Sequence, residues 1–309
     1  MKKIKQRLKK ISIVVFIKKI LDNILLFIKA FIAKIFLIIH PLNVNVMSID
    51  DTLNEIITDH KSVIRFGDGE FNYLSGNSLP FQKYDQRLAN YFRKIIENRD
   101  KNLLICMPEP IMSTKNLVFK SRLFWTYRKF KDYKNYKALE SDYTYGNAFI
   151  SRPYIVYKDK SNAKVHFELL KKIWENKKVL IVEGKYSRSG VGNDLFSNAR
   201  KVGRIICPAE NAFDFFEEIK KEILNNSKYW DLILIALGPT SKPLVFELLG
   251  QNVWSIDIGH IDSEYEWFLA GAKKKIKITS KHTAESNDLN IPECNDKEYL
   301  KSIIYRIGE

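Results

Sequence analysis

Two carboxylates one residue apart, Asp68 and Glu70, close an apolar, β-rich run at residues 62–74 (SVIRFGDGEFNYL), with Gly69 between them. At the mouth of a buried strand such a pair is either a helix cap, with Asp68 capping a short GEFNYL helix, or a site for a hard divalent cation that keeps waters and grips a diphosphate. Three other stretches offer related chemistry. KYSRSGVGNDLF, residues 185–196, follows a strand-like run ending at Gly184 and presents Ser187, Arg188, Gly190, Gly192 and Asn193. A glycine-rich turn ahead of a helix start exposes backbone N–H groups and the positive end of the helix dipole, which suits a phosphate; an ordinary strand-to-helix turn capped by Asn193 is the alternative. No GK[ST] follows and the G-x-G-x-x-G spacing is not met, so it is neither of the two familiar nucleotide loops. ALGPTSKP, residues 236–243, is a similar turn around Gly238, where Thr240, Ser241 and Lys242 could contact phosphate or Thr240 could cap the next helix.

The richest stretch is DIGHIDSEYEWF, residues 257–268, with Asp257, His260, Asp262, Glu264 and Glu266 in ten residues beside Tyr265 and Trp267. Five ionisable groups at one strand end are more than surface decoration requires. If Asp262 caps a helix, Asp262 and Glu266 lie one turn apart on one face while Glu264 points elsewhere. The plainer reading makes Asp262 an N-cap, His260 a loop histidine and the glutamates a solvated face at a helix N-terminus. Taken together, the four stretches favour a cation. Bridged to a diphosphate, it would stabilise charge on a departing nucleotide, while a nearby carboxylate took the proton of an incoming hydroxyl.

Such groups must be held by a scaffold, and the periodicity supplies one. It predicts helices at 49–59, 85–98, 115–137, 162–175, 192–200, 211–225, 241–249 and 262–272, and strands at 62–66, 102–107, 178–183, 203–207, 231–237 and 253–257. VLIVEG, RIICP and LILIALG are continuously apolar, as strands covered on both faces are. Helix and strand alternate, so the expected fold is an open α/β sheet, mostly parallel and flanked by helices. Ligands in such sheets bind beyond the carboxyl ends of the strands, where all four stretches fall.

The chain has 309 residues and a formal charge of +15. Residues 1–40 carry +9 of it, so the excess describes the N-terminus rather than a nucleic-acid surface, and no nucleic-acid partner is expected. ISIVVFIKKILDNILLFIKAFIAKIFLIIH, residues 11–40, is broken by lysines too often for a span of roughly 20 apolar residues. At 100° per residue, Ser12, Lys18, Lys19, Asp22, Asn23, Lys29 and Lys34 fall within about 160° of arc. That describes an amphipathic helix lying on a membrane surface, with a tilted transmembrane helix and a partner-binding helix as alternatives. A secretory signal does not fit its length or its lysines. Cys106, Cys207 and Cys294 are widely spaced and odd in number, which suits a reducing cytoplasm.

RFGDGE, VEGKYSRSGVGNDLF and LGPTSKPL…DIGHIDSEYEWF, in that order over residues 48–275, resemble the signature blocks of the GT-D fold glycosyltransferases, first met in glycosylation of streptococcal serine-rich adhesins. The resemblance implies a Rossmann-like domain that moves a sugar from a nucleotide donor, commonly a UDP-sugar, with Mn²⁺ or Mg²⁺. It implies Asp68 and Glu70 as the D-x-E metal acids, His260 near the metal and diphosphate, Glu266 as general base and Arg65 near the phosphates. The donor would lie on Arg65, Gly184, Ser187, Arg188, Gly190, Gly192, Asn193, Gly238 and Thr240. Asp262-Ser263-Glu264 is a second D-x-E, and the family match favours the first pair.

The expected organisation is an anchoring helix over 1–47, a catalytic domain over 48–275 and a C-terminal extension over 276–309 with no assigned chemistry. The enzyme would work on the cytoplasmic face of the membrane, peripheral or monotopic, on a glycan acceptor that could be lipid-linked. KSRLFWTYRKFKDYKNYK, residues 120–137, and TYGNAFISRPY, residues 144–154, are candidate acceptor contacts, the first equally readable as a plain amphipathic helix. The rival readings are a metal-dependent phosphodiester or nucleotide-sugar hydrolase, and a non-catalytic membrane or nucleic-acid binding module.

Overall fold

The computed structural model describes residues 2–140, 142–282 and 290–308, with the side chains of the N-terminal helix from Ile17 onward. Ser12 of the expected polar arc therefore lies outside the described side chains. In chain order the elements are α1 (Lys2–Ile39), β1 (Asn45–Val46), α2 (Ile49–Asp59), β2 (Ser62–Arg65), α3 (Asp68–Leu74), α4 (Gln86–Ile96), β3 (Leu103–Met107), α5 (Phe119–Lys131), α6 (Tyr133–Lys137) and β4 (Thr144–Asn147). Then follow α7 (Ala163–Trp174), β5 (Lys178–Gly184), β6 (Lys201–Cys207), α8 (Phe216–Ser227), β7 (Leu232–Ala236), α9 (Ser241–Leu249), β8 (Ser255–Asp257), α10 (Ile261–Leu269), α11 (Lys297–Ser302) and β9 (Ile303–Arg306). They form two compact units, Met1–Val44 with Pro110–Glu140 and Asn45–Glu109 with Ser141–Glu309.

The larger unit is built on a nine-stranded sheet of order β1-β4-β3-β2-β8-β7-β5-β6-β9, every pairing of which is parallel. The continuous apolar runs are its centre: Leu180, Ile181, Val182, Ile233, Leu234 and Ile235 are wholly buried. Flanking helices turn one stripe inward, as α4 does with Leu88, Ala89, Phe92 and Ile95, while Asp85 caps it by accepting the Arg87 N–H at 2.7 Å. Because all pairings are parallel, the carboxyl ends share one edge. There β2 and β8 are neighbours (Val63 opposite Ile256), yet the chain leaves β2 for β3 on one side and leaves β8 for β9 at the opposite end of the sheet. Divergence of this kind opens a crevice at that edge.

The helix expected at 192–200 does not form. Gly190 and Gly192 have φ of +78° and Arg188 has φ of +47°, so the backbone leaves helical space before a nucleus can close, and residues 190–200 run as successive turns. The helix dipole expected to favour phosphate at this loop is therefore missing. The predicted helix 115–137 breaks at Asp132 into α5 and α6. Three short strands went unforeseen: β1, β4 and β9, the last formed by the C-terminal segment and paired with β6.

The smaller unit packs α1 against α5, and α6 meets α1 through Tyr133. Ala30 and Ala33 are buried, with Leu26, Phe36 and Leu37 half-buried. Positions 26, 30, 33 and 37 form one narrow stripe, whose two alanines allow a close helix–helix approach. Phe36 meets Phe130 and Tyr133 edge-on at 5.0 and 5.1 Å, and the Lys29 ammonium sits 5.4 Å from the Tyr127 ring. Among the described residues no helix is long and apolar enough to cross a membrane.

Candidate functional site

At the β2/β8 crevice, Arg65 ends one strand and Asp257 the other. Arg65 Nε donates to the Asp257 carbonyl at 2.7 Å and Nη2 to Asp257 Oδ1 at 2.9 Å, while Nη1 donates to the Ser151 hydroxyl. From the first turn of α9, Lys242 reaches the same place: its Nζ lies 3.1 Å from Asp257 Oδ2, 3.0 Å from Glu70 Oε1 and 3.0 Å from the Gly238 carbonyl. Burial alone would push the Asp257 carboxyl up; the charges of Arg65 and Lys242 outweigh it and hold the group below the usual carboxylate range. Glu70, Lys242, Asp257 and Arg65 thus make one chain of alternating charge beyond the strand ends. Each charge in it is satisfied by its neighbours, as burial demands.

Gly259 fits this cluster by having no side chain. Its φ is +49°, and an added Cβ would stand 1.9 Å from Arg65 Nη2. Gly259→Ala is expected to force Arg65 out of its bonds to Asp257 and to lower stability by about 2–3 kcal/mol. A denaturation midpoint equal to that of the parent would show that Arg65 is not held as described.

A second cluster lies around α10. Asp262 Oδ1 accepts the Gly190 N–H at 2.7 Å and the Asn193 amide at 2.9 Å, and Asn193 also donates to Glu266 Oε1 at 2.7 Å. Lys281, from the C-terminal segment, places Nζ 2.8 Å from Asp262 Oδ2 and 2.8 Å from Glu266 Oε1, with its side chain only 2% exposed. Burial pushes the Asp262 carboxyl above its ordinary value, against the opposing pull of Lys281, Asn193 and the Gly190 N–H. Arg188 anchors the same segment by donating to the carbonyls of Ser280 and Pro292 at 2.8 and 2.7 Å. Below the loop, buried Glu183 pairs with Arg204 at 2.5 Å and accepts the Ser189 N–H at 2.8 Å, so the glycine-rich turn is pinned from beneath.

The structure therefore brings Gly190, Asn193 and Glu266 into one cluster and Arg65, Glu70 and Gly238 into another. Asp68 is the first residue of α3, half-exposed, where an acid favours the helix dipole; Glu70 Oε2 accepts the Gly67 N–H at 2.8 Å, half of a capping box. His260, rather than Asp262, is the residue preceding α10. The Ser187 N–H closes a turn onto the Gly184 carbonyl at 2.8 Å, Gly192 is exposed at φ +78°, and Thr240 is buried facing Gln82 Oε1 at 3.5 Å rather than capping α9 through its hydroxyl. Lys281 and the Glu183–Arg204 pair escaped the sequence reading. Only the buried acid within VLIVEG hinted at a partner for Glu183.

Among the described residues no group of three or more His, Cys, Asp or Glu side chains is gathered as for a metal. The chemistry at Glu70 nonetheless suits a hard cation: oxygen donors converge there, and the Lys242 ammonium already stands between the carboxylates of Glu70 and Asp257 as a positive group.

Comparison with known proteins matches residues 63–286 to the family described as glycosyltransferase GT-D fold. Glycosyltransferase GlyD of Streptococcus pneumoniae serotype 4 is 47% identical over 278 residues, 86% of this chain and 33% of that protein. The probable glycosyl transferase Gly of Streptococcus gordonii is 40% identical over 268 residues, 86% of this chain and 39% of that protein. The chain thus spans 33–39% of the length of these curated relatives. A solved domain of unknown function 1792, described as having a distinct glycosyltransferase fold, superposes with a TM-score of 0.83 at 43% identity, covering 86% of this chain and 96% of that one. A glycosyltransferase of the same domain type from Streptococcus sanguinis superposes with a TM-score of 0.83 at 40% identity, covering 85% and 99%.

Proposed function

This chain belongs to the GT-D-fold glycosyltransferase family, and from that premise we propose that it moves a hexose from a UDP-sugar to a hydroxyl of a glycan acceptor in cell-surface polysaccharide or glycoprotein glycan synthesis. The observation that carries the reading is the setting of Glu266. Both hydrogen bonds to its carboxylate among the described residues, from Asn193 and Lys281, end on Oε1, and its side chain is 25% exposed. The carboxylate is held in one orientation with Oε2 left to accept a proton from an acceptor hydroxyl. The bond that forms joins that oxygen to the sugar, and the bond that breaks joins the sugar to the donor diphosphate.

Positive charge for the departing diphosphate comes from Lys242 at the crevice, with the Gly238 turn beside it. Asp68, Glu70 and His260 are the residues we propose to hold Mn²⁺ or Mg²⁺; bound there, the ion would neutralise the diphosphate. Lys242 stays held by Asp257 at 3.1 Å and the Gly238 carbonyl at 3.0 Å, so its charge would act on the donor from a fixed position. The half-exposed turn at Ser187 and Gly190 supports donor binding, and α1 supports attachment to the membrane.

Incubating the protein with UDP-sugars tests this, with and without acceptor and with EDTA or added Mn²⁺. A bound donor at a hundred times its Kd should stabilise the fold by about 2.7 kcal/mol, roughly 5 °C in melting temperature, and EDTA should remove most of that gain. Sugar release at the same rate without acceptor would instead favour the hydrolase reading, since the same acids could activate water.

A further inference from the structure

The smaller unit joins two pieces of chain that are remote in sequence, and together they hold the protein's whole charge excess. Met1–Val44 and Pro110–Glu140 contain 18 of the 51 basic residues and three of the 36 acidic ones, a net +15, whereas the larger unit has 33 of each and is neutral. An enzyme body with no net charge thus carries a separate cationic unit.

That unit also has an unpartnered apolar surface. At 100° per residue the seam of α1 against α5, at Leu26, Ala30, Ala33 and Leu37, centres about 140° away from the arc holding Ile24, Phe27, Ile28, Phe31, Ile35 and Ile38. Of those six, each is about half-exposed or more. Leu21, Ile32 and Leu25, also exposed, widen the arc to about 160°, and exposed Lys34 and Lys29 then border it, one on each side. An arc of isoleucine and phenylalanine edged by lysines fits acyl chains below and phosphates at the rim. A nucleic acid would use the lysines and leave the isoleucines in water.

α5 and α6 add charge to this surface. Of their basic side chains, Arg128 is turned inward to Asp132 at 2.6 Å, and Lys129 donates to the Ile111 carbonyl at 3.3 Å with its pKa lowered by burial. Lys120, Lys131 and Lys134 are exposed. Packed helices lie about 8–10 Å apart, comparable with a Debye length of about 8 Å at physiological salt, so these charges are felt at the layer in which α1 would lie.

We propose that residues 110–140 and α1 form one docking module for anionic phospholipid bilayers, in which α1 enters the interface and the lysines of α5 and α6 select acidic headgroups. The inference rests on the attachment proposed for α1 and assigns to residues 110–140 a lipid role in place of an acceptor contact.

The test uses the full chain and vesicles of phosphatidylcholine alone or with 30% phosphatidylglycerol, measured by co-sedimentation near physiological salt. Each surface lysine is worth about fivefold in partition to an acidic bilayer. Lys120→Gln/Lys131→Gln/Lys134→Gln should therefore bind the acidic vesicles at least tenfold more weakly at an unchanged melting temperature. Ile24→Ser/Phe31→Ser should lose binding to both kinds. Parental binding by the lysine triple variant, or equal binding of the parent to the two vesicle types, overturns the role of 110–140 while leaving α1 attachment standing. Absence of binding to either vesicle overturns both. Tight binding of single-stranded RNA that Ile24→Ser/Phe31→Ser does not weaken, with no preference for acidic vesicles, would make the surface a nucleic-acid one and overturn the proposal.

Discussion

Glu266→Gln should cut kcat by roughly 10²- to 10⁴-fold while leaving donor affinity near its parental value. Glutamine keeps the shape and can still present an oxygen to the Asn193 amide and the Lys281 ammonium, which hold Oε1 at 2.7 and 2.8 Å. The Lys281 charge stays paired with Asp262 at 2.8 Å, so no buried cation is stranded. What disappears is the capacity to take a proton. The loss belongs in kcat because it concerns the transition state alone, and about 3–5 kcal/mol is the size expected of a missing general base. Parental transfer rates in this variant, with UDP stabilisation intact, would move the base elsewhere. Loss of UDP stabilisation as well would show that Glu266 supports the donor site instead.

Lys281→Met should be strongly destabilising. The ammonium is 2% exposed and is shared by two carboxylates, Asp262 and Glu266. Removing it leaves two acids near one another, with only Asn193 and the Gly190 N–H to compensate. Breaking a buried pair from one side costs about 3–5 kcal/mol, and in a chain of this size that lowers the melting temperature by roughly 5–8 °C. Lys281→Met/Asp262→Asn should recover part of the loss, because the second change removes one stranded charge. Calorimetry on the three proteins decides it. A melting temperature within a degree of the parent for Lys281→Met would mean that the C-terminal segment does not seat its lysine between these acids.

The sheet was legible because its evidence is local. VLIVEG, RIIC and LILIA announce two-faced burial within a few residues, and the helices between them show their stripes within three turns. The crevice residues were legible only as types at strand ends. That Arg65 would spend its guanidinium on Asp257, 192 positions away, follows from strand order, which no local pattern carries. The loop at 188–200 misled for a specific reason. Asn193 has the look of a helix cap, but its amide is drawn to Asp262 and Glu266, and the glycines around it take positive φ. Lys281 left no mark in sequence at all. It stands in a polar stretch a few residues after three consecutive lysines, Lys273 to Lys275, and nothing local separates the buried one from the exposed ones.

The division of the smaller unit between two distant stretches also sets an order of events during synthesis. α1 ends at Ile39 and its packing partner α5 begins only at Phe119, about 80 residues later. At 5–20 residues per second, the ribosome needs roughly 4 to 16 s to deliver the second helix after the first. For that interval the nascent chain displays an oily helix with nothing of its own to cover any side of it. On the attachment proposed for α1, a bilayer close to the ribosome would meet that helix before α5 does, and the cationic unit would finish assembling on a surface the first helix had already found.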